Sequence, residues 1–212
     1  MCFSASASLI TFLIGITGSY LLITKGNPKY SKENIIFGIF CIFIAFIQLM
    51  DFLFWTDLNN KRGINHIITL LGPLINTGQP VILYAIKYFY LKPKINLGYN
   101  ENSFYILLNI LYIVYLFNVY LNFISKGNLT TSTKYGHLYW PWIEFSNPIY
   151  YVFLLAINFF YLTNFTYSLM IFVITYFCLL LSYCFFYNNL GELWCFFGAF
   201  IPIILLFGSY YL

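Results

Sequence analysis

Polar residues set inside long apolar stretches are the first places to look for chemistry, because each costs free energy in a lipid or protein interior. Gln48, Asp51 and Trp55 recur at i, i+3 and i+7 and so share one face of a helix. An acid well inside an apolar run serves as an acid–base or cation-binding group, or as the centre of a buried hydrogen-bond network. A second stripe runs through His66, Thr69, Pro73, Asn76 and Pro80, with Gln79 beside it. Two prolines in one apolar stretch leave backbone carbonyls without their helical donors, and side chains or water must replace them. His137, Trp140, Trp142 and Glu144 fall in the long connection 125–146, while Glu192, Trp194 and Cys195 open the last apolar stretch. For Glu192 a structural role competes strongly, since the helix dipole favours an acid at a helix N-terminus. His66 and His137 read more simply as interfacial or structural groups than as ligands.

Several sharper chemistries fail. Zinc needs three or four ligands at regular spacing, and no such motif links His66, His137, Asp51, Cys2 and Cys195. No metal and no cofactor is therefore expected. A retinal-type Schiff base needs a lysine in the last span, and residues 191–211 contain none. Cys2 as an N-terminal nucleophile is a minor reading, and Cys41 and Cys178 read as small buried hydrophobes.

The elements that must position these residues are set by composition. Hydrophobic residues make up 61% of the 212-residue chain and charged residues only 8%, against about 25% charged in soluble domains. Mean hydropathy is +0.80. A water-soluble globule is excluded, and a net charge of +4 without a basic cluster gives no footing for nucleic acid. Seven apolar segments fall near 3–24, 35–56, 64–91, 103–124, 147–163, 167–187 and 191–211. Most approach the roughly 20 residues a spanning helix requires; barrel strands are shorter and alternate. The expectation is all-α: a polytopic membrane helix bundle with about seven transmembrane helices in a single domain, 1–212. The first segment has no charged leader before it and begins with Ser4, Ala5, Ser6, Ala7 and Ser8, so it reads as a true span. Its stripe of Ser4, Ser8, Thr11, Gly15 and Ser19 predicts close helix packing. A tight hairpin is expected at Thr163 to Thr166.

Orientation follows from basic residues near span ends. Lys25, Lys29 and Lys32 follow the first span and none precedes it, which predicts the N-terminus outside and the C-terminus inside. Lys87 is expected to snorkel to the same inner interface as Lys92 and Lys94. On this topology Cys2, Asp51, His66, His137, Glu144, Glu192 and Cys195 converge on the outer end.

Met1-Cys2-Phe3-Ser4-Ala5, the pattern Gln48-x-x-Asp51-x-x-x-Trp55, and Gly191-Glu192-Leu193-Trp194-Cys195-Phe196 together carry a resemblance along the whole chain. The sequence resembles an uncharacterised family of seven-span membrane proteins of giant viruses, algae, protists and bacteria. Its members begin Met-Cys-Trp/Phe-Ser and carry a late Gly-Ser-x-Trp-Cys motif. The chain departs from that pattern with Asp51 in place of Glu and Glu192 in place of Ser. The resemblance implies architecture and no activity, and it adds weight to Cys2, Gln48, Asp51, Trp55, Trp194 and Cys195.

These readings converge on an outward-facing pocket that binds or translocates a small molecule or ion. Gln48, Asp51, Asn76 and Gln79 would line it; Trp55, Trp140, Trp142 and Trp194 would form its rim. Asp51 would find partners in Asn76 or Gln79, or in His66 or His137 if the long loop folds inward. Cys2 and Cys195, both at outer helix ends, are expected to be neighbours and candidates for a bridge. The runner-up is an intramembrane hydrolase using Asp51, His66, His137, Glu144 or Glu192. A structural membrane protein without a ligand is the third reading. The lipid bilayer is the one partner composition itself requires.

Overall fold

Ser4 opens the first helix: its hydroxyl accepts the Ala7 backbone N–H at 3.2 Å, satisfying one of the donors a helix start leaves over. The computed structural model describes residues 4–92, 101–127, 129–134, 136–186 and 190–212. In chain order the helices are α1 (Ala5–Lys25), α2 (Ser31–Thr56), α3 (Ile64–Thr77), α4 (Gln79–Leu91) and α5 (Glu101–Ser125), then α6 (Pro148–Phe160), α7 (Phe165–Phe186), α8 (Leu190–Gly198) and α9 (Ile201–Gly208). Between α5 and α6 lies a small antiparallel hairpin, β1 (Ser132–Lys134) with β2 (His137–Tyr139), followed by a 3₁₀ turn at Pro141–Phe145. The hairpin turns at Gly136, whose φ of +78° suits glycine.

Among the described residues, four helical stretches are long and apolar enough to cross a membrane: Ala5–Lys25, Pro28–Thr56, Asn102–Ser125 and Phe165–Cys184. The remaining apolar segments are broken or short. Helices α3 and α4 meet the same test only as a pair, bent by 60°. The bend falls at Gly78, where Pro80 lacks an N–H and its ring crowds the carbonyl four residues back. Neighbouring helices supply donors to other carbonyls at the bend: Tyr112 Oη donates to the Thr77 carbonyl at 3.0 Å and Asn158 Nδ2 to the Pro80 carbonyl at 2.9 Å. Pro202 marks the second break, between α8 and α9. Helix α6 has only 13 residues.

Segment ends gather at two ends of the bundle. At one, Asn27 Nδ2 donates to the Ser209 carbonyl at 2.7 Å and Tyr210 Oη to the Lys25 carbonyl at 2.8 Å. The turn after α6 joins them through the Asn164 N–H, which donates to Glu33 Oε1 at 3.0 Å. The 57–63 connection and the long loop occupy the opposite end, tied together through Asn65 and Thr131.

The small-residue stripe packs as its spacing predicted from Ser8 onward, while Ser4 is exposed as the helix cap. Ser8, Thr11, Gly15 and Ser19 are buried, and Gly15 lets α1 approach Ala45 of α2. Beneath this seam Phe37, Phe40, Leu22, Leu155 and Tyr167 form the main core, with Tyr167 stacked on Phe37 at 5.7 Å. In contrast, α5 leaves Phe104, Leu107, Ile110, Leu111, Val114 and Phe117 exposed. That apolar exterior suits a lipid environment and would be untenable in water. Lys87 departs from expectation: instead of snorkelling it is fully buried and turned into the bundle.

Candidate functional site

The end of the bundle formed by the 57–63 connection and the long loop is organised by Asp57, which the sequence reading did not single out. Its carboxylate accepts the backbone N–H groups of Ile64 at 2.9 Å, Arg62 at 3.1 Å and Asn65 at 3.4 Å, capping the start of α3. Burial pushes its pKa up, but the converging N–H groups of Arg62, Asn65, Ile64 and Lys61 together hold it below the ordinary aspartate value. One turn on, Asn65 and Thr69 grip the long loop. Asn65 Oδ1 accepts the Thr131 N–H at 2.8 Å, Asn65 Nδ2 donates to the Thr131 carbonyl at 2.8 Å, and the Thr69 and Thr131 hydroxyls lie 3.0 Å apart. His66 contributes Nδ1 at 3.1 Å from the Leu129 carbonyl. It is a loop anchor.

So anchored, the loop folds into the bundle. Trp140 and Trp142 are buried and stack at 5.3 Å, and Trp142 also meets Phe54 and Phe123. Gly72 makes room, since any Cβ at that position would collide with the Trp142 ring. Trp140 and Trp142 are therefore a plug and not the expected rim. Beneath them Asp51 is fully buried and accepts the Trp140 indole N–H at 3.1 Å. Asn76, Gln79 and His66 direct their hydrogen bonds elsewhere, so the partners expected for Asp51 are corrected to Trp140. Gln48, one turn along the same face and also fully buried, accepts the Thr11 hydroxyl at 3.0 Å, while its Nε2 has no partner among the described residues. Trp55 is half-buried at the same end of α2.

His137 sits half-buried on β2, where burial holds its imidazole below the ordinary pKa. Glu144 is exposed and accepts the Tyr139 hydroxyl. Cys2 and the Glu192 side chain lie outside the described residues, and with Cys2 the expected bridge to Cys195.

Asn76 and Gln79 belong to a second cluster at the α3–α4 bend. Gln79 Nε2 donates to Asn76 Oδ1 at 3.3 Å, and Gln79 Oε1 accepts the Tyr151 hydroxyl at 2.6 Å. The Cys195 thiol lies 3.7 Å from Asn76 Oδ1. Trp194 donates to the Thr175 carbonyl at 3.2 Å and meets Tyr151 edge-on at 5.3 Å. Asn76 Nδ2 has no hydrogen-bond partner among the described residues. The four residues expected in one pocket thus divide into two pairs: Gln48 with Asp51 under the plug, and Asn76 with Gln79 at the bend.

The second cluster borders a cavity of about 460 Å³ between α3, α6, α7 and α8. Asn76, Tyr151, Trp194 and Cys195 contribute its polar groups; Val152, Leu179, Leu180 and Pro148 are among its apolar walls. The exposed Leu180 and Tyr183 of α7 stand at its wall. A separate void of about 20 Å³ lies behind Tyr151 and Trp194, and Thr175, whose buried Oγ1 has no partner among the described residues, lines it. Tyr151 escaped the sequence reading because nothing distinguishes it among 21 tyrosines. Asp57 carried a usable signal, an acid a few residues before Gly63 and a new apolar run. Among the described residues no three His, Cys, Asp or Glu side chains gather where they could hold a metal ion. Compared with protein-family models, with curated proteins and with solved structures, the chain matches none.

Proposed function

We propose that this protein is a seven-crossing membrane protein that binds a small, largely apolar molecule in the lateral cavity. The carrying observation is the cavity itself: about 460 Å³, apolar walls, and Asn76, whose Nδ2 has no partner among the described residues, beside Cys195, Tyr151 and Trp194. That volume lies within the roughly 300–1,000 Å³ of small-molecule sites, and a few placed polar groups on apolar walls are their usual chemistry. An amide N–H2 with no acceptor among the described residues favours a ligand ending in a carbonyl or other acceptor. The site differs from the outward-facing one expected from sequence, because Trp140 and Trp142 fill the outer end. Entry is from the side, where the bundle meets lipid.

Seven crossings follow if the bent α3–α4 pair, the short α6 and the broken α8–α9 each count as one, and the lysines after α1 favour the N-terminus outside. The family resemblance proposed from the Met1–Ala5, Gln48–Trp55 and Gly191–Phe196 motifs is compatible with this and adds no activity. Acid–base hydrolysis gains no support, since neither Asp51 nor His66 lines the cavity.

The test uses purified protein in lipid nanodiscs and a brominated fatty-acyl amide as a fluorescence quencher. Saturable quenching that disappears in Trp194→Phe is expected. Asn76→Leu should weaken it about tenfold, the worth of one lost hydrogen bond in a dry site. Quenching insensitive to both substitutions would remove the reading.

A further inference from the structure

The carbonyl end of helix α6 is buried, with Asn158, Phe159 and Tyr161 all shielded from solvent, and that poses a physical problem. The last four carbonyls of a helix have no intrahelical donors, and the helix dipole concentrates negative potential there. At Asn158, Phe159 and Tyr161 no water is needed to answer it, because Lys87 of α4 does. Its Nζ donates to the carbonyls of Asn158 at 2.6 Å, Phe159 at 2.9 Å and Tyr161 at 2.9 Å, and lies 3.0 Å from Thr163 Oγ1. The Phe37 ring closes the remaining side, 5.1 Å from Nζ to its centroid. Lys87 is fully buried, and all four of these partners are oxygens of neutral groups.

Three carbonyls converging on one nitrogen require three N–H donors. An ammonium has three; a neutral amine has two and would point its lone pair at the third carbonyl. The ring of backbone carbonyls plus a hydroxyl is also the kind of oxygen cage that replaces the hydration shell of a monovalent cation. We propose that the C-terminus of α6, with Thr163, is a monovalent-cation site that the protein fills with its own tethered ammonium, Lys87. The site takes a compact, three-donor or spherical cation. A guanidinium is planar and forked and cannot address three carbonyls converging on one point. By clamping α6 to α4, the tethered cation also fixes how deep this 13-residue helix sits.

The experiment is chemical rescue in nanodiscs. Lys87→Ala should lower the midpoint of thermal unfolding. Methylammonium should then raise it saturably by about 2–4 °C, while tetramethylammonium at equal ionic strength should not. Wild type should be indifferent to both, and Lys87→Arg should be as unstable as Lys87→Ala. Equal effects of the two cations on the folded Ala variant would overturn the proposal. If Lys87→Ala does not accumulate, NMR of isotope-labelled lysine side chains in the wild type decides. A slowly exchanging NH₃⁺ signal for Lys87 at neutral pH supports the site, and a neutral-amine signal overturns it.

Discussion

The Trp140 indole N–H donates to Asp51 Oδ1 at 3.1 Å, joining positions 89 residues apart in the chain. One residue belongs to a loop, the other to the last two turns of α2, on the face it shares with Gln48, and both are buried. The bond makes the loop part of the core. It also gives the carboxylate a donor in place of the water it lost on burial.

That relationship predicts an asymmetry between variants. Asp51→Asn keeps an acceptor for the indole and should fold with little loss of stability. Trp140→Phe removes one donor from a buried carboxylate and should cost about 1–3 kcal/mol. Asp51→Leu should cost a similar amount by stranding the indole N–H. Thermal unfolding of the three purified variants in one detergent checks the order. A wild-type-like Trp140→Phe would show that the bond contributes nothing to stability.

Gly72→Ala should dislodge the plug. A methyl group at that position overlaps the six-membered ring of Trp142, which is held by Phe54, Phe123 and Trp140. Forcing the ring aside should cost about 1–3 kcal/mol, as overpacking of a filled core does. Tryptophan emission should shift to the red as the stacked pair gains contact with solvent. An unshifted spectrum in a folded variant would place the plug elsewhere.

Asp57 predicts a pH dependence of the 57–63 connection. Its folded pKa lies below the unfolded value, so its contribution is fully present above the unfolded carboxylate pKa of about 3.9. It is lost as the pH falls through the folded pKa. Hydrogen exchange at the Arg62, Ile64 and Asn65 amides should therefore accelerate on acidification into that range. In Asp57→Asn, which keeps an acceptor but cannot titrate there, the acid-dependent step should vanish. An unchanged step would assign it to another group.

Accessibility labelling tests the proposed orientation. Asn27 and Lys29 share an end with Ser209 and Leu212, so tags in the 25–33 connection and at the C-terminus should behave alike. In intact cells an impermeant reagent should reach a tag in the 125–146 loop and miss both others. Labelling of the 25–33 and C-terminal tags without the loop tag would invert the bundle and reassign the outer end.

Much of the framework was legible without coordinates, because in an apolar solvent helix formation is nearly forced by backbone satisfaction. The segments near 3–24, 35–56, 103–124 and 167–187 each became a long helix, and the Ser8, Thr11, Gly15, Ser19 stripe became a close seam. Pro80 foretold an interruption, since a missing N–H is a property of the residue itself. The burial of Asp51 followed from the helix face it shares with Gln48 and Trp55 inside an apolar run.

What pairs with Asp51 was decided only in three dimensions. Its donor arrives from a loop whose path depends on Asn65, Thr69 and His66 gripping Thr131 and Leu129, contacts that no local spacing encodes. The same holds for Lys87. Near a span end a lysine reaches for water by default, and only the position of α6's unpaired carbonyls made the interior the better solvent for its charge. The separation of Gln48 and Asp51 from Asn76 and Gln79 has a like cause. Periodicity assigns residues to faces of their own helices, while the bend at Gly78 and the depth of Trp142 determine which faces meet.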